Sequence, residues 1–159
     1  MGQRALVYGI GNPILTDDAI GPKICDHLKI NRPIPGVEYR TGAVGGLCAL
    51  EQILGYERVV FIDAIRTKDG IPGDVYEFGL SNFKETLHLS SFHDLSFLSA
   101  IEMGKNMAFK VPGDIRIIAI EIVEDLVFSN SFSPEIEKKY PLILKEVTEW
   151  FDRCFVATP

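Results

Sequence analysis

The chain has 159 residues, 47% of them hydrophobic and 24% charged, and its 22 acids outnumber its 16 bases for a net charge of −6. That is one domain's length with enough apolar material for a core, which excludes disordered, collagenous and coiled-coil classes. The acid excess, with no Lys/Arg cluster to offset it, argues against a nucleic-acid partner.

Residues 4–10 form a short apolar run ending in Gly9-x-Gly11, the pattern of a buried strand. A loop over 12–20 follows. Gly21-Pro22 opens a helix whose apolar face is Ile24, Cys25 and Leu28, and turn chemistry at 31–36 closes it. Residues 37–41 read as a second strand, and 42–46 as a glycine-rich loop. Leu47, Leu50, Ile53 and Leu54 recur at helical spacing, with Gly55 as the C-terminal cap. The strongest strand signal is 58–65, a continuous apolar run broken only by Asp63. A turn at 67–73 precedes an edge or hairpin strand at 75–78.

The spacing then predicts a helix over 91–104, with Ser91-x-x-Asp94 as a capping pattern. Residues 114–122 read as another strand. Ser133-Pro134-Glu135 starts the last helix, and Pro141 is expected to kink or restart it. The order β-α-β-α-β-(β)-α-β-α implies an α/β fold, with helices packed on both faces of a largely parallel sheet. No composition break marks a linker.

The N-terminus lacks the apolar core of a secretory signal, and no run approaches the roughly 18 residues of a bilayer span, so no membrane is expected. Cys25, Cys48 and Cys154 share no CxxC spacing and are odd in number. They read as reduced thiols in a cytoplasmic protein.

Ligands of open α/β sheets collect beyond the carboxyl ends of the strands. Two acidic features fall there: Asp17-Asp18 after strand one, and Asp63 at the end of strand three. A dinucleotide site at Gly9-x-Gly11 is disfavoured, because the third glycine of the fingerprint is replaced by Ile14. Of the three histidines, His27 belongs to a helix face and His88 lies in a polar segment without a clear pattern. His93, before Asp94, is the imidazole best placed to join two carboxylates. Two carboxylates and an imidazole suit a divalent transition metal with open positions. Nucleophile-elbow, HExxH, CxxC and P-loop signatures are all missing.

The segment from Gly9-Ile10-Gly11-Asn12 through Asp17-Asp18-Ala19-Ile20-Gly21 resembles the opening motif of the hydrogenase maturation proteases, which trim the C-terminus of nickel–iron hydrogenase large subunits. Val59-Val60-Phe61-Ile62-Asp63-Ala64, Pro72-Gly73, His93-Asp94-Leu95 and the Ser133-Pro134 helix start are similar to that family's later landmarks, in the same order. The resemblance covers nearly the whole chain. It implies a single domain over 1–159 with a three-layer, phosphorylase/hydrolase-like sandwich. It also implies that Asp18, Asp63 and His93 are the catalytic and metal-contacting residues.

By the same resemblance the nickel arrives with the substrate, a large-subunit precursor already loaded with metal, and no organic cofactor is needed. The protein is expected to act as a monomer. Asp17 is expected to support the site residues from behind or to structure the loop, and the 42–46 loop either to border the site and admit an extended peptide or to serve as a simple strand-to-helix turn. A non-catalytic metal-sensing chaperone, or another hydrolase on the same scaffold, are the alternative readings.

Overall fold

The computed structural model describes residues 4–89 and 96–156. Five strands form one sheet: β1 (Ala5–Ile10), β2 (Val37–Gly42), β3 (Arg58–Ile65), β4 (Val75–Gly79) and β5 (Asp114–Glu121). Among the described residues, four α-helices cover it: α1 (Ile20–Asn31), α2 (Gly46–Ile53), α3 (Phe97–Asn106) and α4 (Pro134–Phe155). The strand order is β2-β1-β3-β5-β4. β1 is parallel to β2 and β3, β3 is parallel to β5, and β4 joins the edge antiparallel to β5.

The central strands are apolar along their length because both faces are covered. β1 is buried at all six positions, and β3 at all but its first. Alternate residues feed two cores. Leu6, Tyr8, Phe61 and Ile117 pack under α2 and α3. Val7, Val60, Ile62 and Ile118 pack under α1 and α4. The sheet is therefore the middle of three layers, as the alternation of elements requires. Phe61 meets Phe97 of α3 edge-on, with ring centroids 5.2 Å apart, the preferred geometry of an aromatic pair.

The chain leaves β1 toward β2 on one side and returns to β3 on the other. The carboxyl ends of β1 and β3 thus flank the point where strand order reverses, where such sheets form a crevice. Backbone contact builds this corner. A Cβ on Gly21 would stand 2.4 Å from the Ile10 carbonyl oxygen, and one on Gly11 would stand 2.0 Å from that of Asp18. Only glycine lets α1 and the loop before it sit so tightly against the end of β1.

Two expected boundaries differ. α3 starts at Phe97, where the Ser96 hydroxyl accepts the Ser99 N–H; the capping pattern expected at Ser91 and Asp94 lies outside the described residues. α4 runs without a restart through Pro141. Proline removes one hydrogen bond to the carbonyl of Glu137, and Pro141 and Glu137 both lie on the exposed face, where that carbonyl is open to solvent. Among the described residues, no helix is long and apolar enough to cross a membrane.

Candidate active site

The loop after β1 turns into a short 3-10 helix at Thr16–Ala19 whose four residues are all buried. This brings two adjacent carboxylates inside the protein, in very different surroundings. Asp17 accepts the N–H groups of Val123, Glu124 and Ser133 and the hydroxyl of Ser133, at 2.7–3.1 Å. Every donor comes from the segment between β5 and α4. Ser133, expected to cap α4 with its side chain, turns that hydroxyl to Asp17 and makes no cap bond. Thr16 holds the same segment through a hydroxyl bond to the Val127 carbonyl, and it does so with φ at +51°. For a β-branched residue this is a strained conformation, stabilised here by bonds on both sides of it. Asp17 thus structures the loop.

Asp18 points the other way. One of its oxygens accepts the Asn12 N–H at 2.8 Å. Its carboxylate also faces His88, whose Nε2 stands 3.2 Å from both oxygens. On the other side of the ring, Nδ1 lies 2.7 Å from Oδ1 of Asp63. Asp63 is wholly buried in β3. Its Oδ2 accepts the Thr86 hydroxyl, and its Oδ1 also accepts the Ala64 N–H. A buried carboxylate is costly unless it is paired, and three donors satisfy this one.

The result is a chain of groups, Asp63–His88–Asp18, at the carboxyl ends of β1 and β3. Burial pushes the Asp63 carboxyl up, against the opposing pull of His88, Thr86 and the Ala64 N–H. Burial would lower the imidazole, but hydrogen bonds to Asp18 and Asp63 outweigh it and push His88 up to about 10. The imidazole therefore carries a proton at neutral pH, clamped between two carboxylates. Its side chain is 19% exposed, against 5% for Asp18 and none for Asp63, so the imidazole is the member most open to a ligand.

Two of the three residues singled out by sequence, Asp18 and Asp63, meet at one centre. The third, His93, lies outside the described residues. The histidine that joins the two carboxylates is His88, which no periodicity or capping pattern marks. The remaining histidine, His27, bonds Asn31 along α1, away from this chemistry. The 42–46 loop borders the same end of the sheet, where the Gly11 N–H donates to the Gly42 carbonyl.

The donor set, two carboxylates and an imidazole, is chemically suited to a divalent ion of borderline softness. Among the described residues, however, no three His, Cys, Asp or Glu side chains converge as a ready metal cage. The imidazole fills the space between the carboxylates, and both of its nitrogens are already engaged.

No family model matches the chain. Over 71 residues it is 37% identical to the Hydrogenase 2 maturation protease of Escherichia coli (strain K12). That stretch is 44% of this chain and 43% of the relative, so the match spans under half the length of the curated relative. Its fold is similar to that of the hydrogenase maturating endopeptidase HybD from E. coli, with a TM-score of 0.70 and 22% identity over 96% of this chain and 94% of that one. It is also similar to the NiFe hydrogenase maturation protease HycI from Thermococcus kodakarensis KOD1, with a TM-score of 0.68 and 23% identity over 92% and 91% of the two chains. At these identities the structural likeness establishes the three-layer fold. The sequence match to a hydrogenase maturation protease agrees with the resemblance carried by the sequence motifs.

Proposed function

We propose that this chain, a relative of the hydrogenase maturation proteases, is an endopeptidase that removes the C-terminal extension of a nickel–iron hydrogenase large-subunit precursor once nickel has been inserted. The observation that carries this reading is the Asp63–His88–Asp18 chain at the strand-order reversal of a fold shared with such proteases. A protein that only positioned a partner would have little use for a buried carboxylate holding an imidazole against a second carboxylate.

In this reading nickel belongs to the substrate. Asp18 and His88 are the groups on its side, and His88 can meet it only by giving up its proton and its bond to Asp18. Held there, the ion supplies Lewis acidity beside the peptide bond to be cut. Asp63, buried and fixed by Thr86 and Ala64, orients the imidazole. Asp18, anchored by the Asn12 N–H, is the less enclosed of the two carboxylates, and in this reading it takes the proton of the attacking water. Water adds to the scissile carbonyl, the C–N bond breaks, and the proton ends on the departing amine.

The protein needs no tight metal site of its own for this task. A substrate-borne ion makes cleavage conditional on loading, so a nickel-free precursor is cut at least about 100-fold more slowly. Equal cleavage of loaded and nickel-free precursor, followed by gel mobility of the large subunit, would refute the gating. Cleavage of neither would refute the protease assignment.

A further inference from the structure

Beside this centre lies a cleft of about 320 Å³ that the reaction as described does not use. Ile65, Tyr76 and Phe78 give it apolar walls, and Lys68, Asp69 and Lys84 bring charge to it. Tyr76 and Phe78 stack with their rings 11° from parallel.

Strand register fixes how the cleft relates to the reacting groups. Asp63 stands opposite Ala119 in the β3–β5 pair, and Ala119 stands opposite Tyr76 in the β5–β4 pair. Asp63, Ala119 and Tyr76 therefore form one row across the sheet. They share a face, because Phe61 and Ile65, two residues to either side of Asp63, pack in the same core as Ala119 and Tyr76. Two strand spacings separate the backbones of Asp63 and Tyr76 by about 10 Å. A second link runs over the top of this row. Lys84 lines the cleft, Thr86 bonds Asp63, and His88 bonds Asp63 and Asp18. One five-residue strap thus borders both the cleft and the reacting groups.

We infer that the cleft is a substrate subsite: it seats an apolar side chain of the extended peptide being cut, about three residues from the scissile bond. This inference rests on the endopeptidase reading. The spacing follows from the geometry of an extended chain, which covers about 10 Å in three residues. The apolar walls select the side chain. The charge selects its neighbour, since two lysines and one carboxylate line the cleft of a chain whose net charge is −6. The lysine ion pairs among the described residues are those of Lys139 and Lys145, so Lys68 and Lys84 are not committed to a carboxylate there. A peptide with an acidic residue next to the apolar one meets both demands.

The test is steady-state cleavage of nickel-loaded precursor by the whole protein. Each precursor residue within four of the cut is replaced in turn by serine. One apolar position should raise KM about tenfold with kcat little changed, as the loss of an apolar side chain from a pocket does. The K68E/K84E double variant should also raise KM about tenfold on the unaltered precursor, while Lys145→Glu, on the far surface of α4, leaves it unchanged. Tyr76→Ala should abolish the discrimination between the apolar residue and serine. If wild-type protein cuts the precursor but KM is indifferent to all of these changes, the subsite is wrong and the protease reading stands. If wild-type protein cuts no precursor, both fall together.

Discussion

Asp17 and Asp18 are neighbours in the chain, are both buried, and do opposite things. Asp17 is saturated by three backbone N–H groups and one hydroxyl, none of which titrates near neutrality. It is a clasp, and it ties the 123–133 segment to the loop after β1. Asp18 shares its oxygens with one backbone N–H and with an imidazole that can gain or lose a proton. A carboxylate surrounded by amides is fixed as structure. A carboxylate facing a partly exposed imidazole remains available for chemistry. Burial alone does not distinguish them; the identity of the donors does.

Substitutions break the pair apart in order of effect. Asp63→Asn keeps the size of the side chain but removes the charge that orients His88, so precursor cleavage should fall about 1,000-fold, as it does when catalytic groups lose their orienting partner. Circular dichroism should show the fold intact. Asp17→Ala does the reverse. It leaves the partly buried N–H groups of Val123, Glu124 and Ser133 without their acceptor, a loss of about 3 kcal/mol. For a chain of this length that lowers the melting temperature by roughly 6–12 °C, read by calorimetry.

The pH dependence sharpens the contrast further. His88 is raised above its ordinary value of 6.5 to about 10. A raised histidine stabilises the fold fully below pH 6.5, and that contribution disappears as pH climbs through about 10. Urea unfolding of metal-free protein should therefore show declining stability from pH 7 to pH 10.5. The slope should flatten in His88→Gln, whereas Asp17→Ala shifts the whole curve without changing its alkaline slope.

The fold was largely legible because its signals are local. The continuous apolar runs of β1 and β3 announce strands covered on both faces, and Ser133-Pro134-Glu135 announces α4. The β4 edge was legible as a strand, but its antiparallel pairing depends on the path of the 66–74 turn. Pro141 misled because its cost depends on where the freed carbonyl points, which a sequence does not state. That Asp18 and Asp63 would need partners was legible for a physical reason. An acid at the end of a buried strand, and another in a glycine-bounded loop after one, demand a partner. The partner's identity was not. His88 reaches Asp18 and Asp63 from 70 and 25 residues away, by the course of a strap with no period of its own. His93 drew attention because Asp94 and a helical pattern follow it. Nor does the Asp17-Asp18 dipeptide say which carboxylate turns toward the clasp and which toward the imidazole.

The most direct test compares the two histidines in one assay, single-turnover cleavage of nickel-loaded precursor by His88→Ala and by His93→Ala, each checked for folding. With His88 as the imidazole between Asp63 and Asp18, His88→Ala should lose about 1,000-fold or more, and His93→Ala should retain far more activity. Near-normal cleavage by His88→Ala, with loss confined to His93→Ala, would contradict the account at its centre.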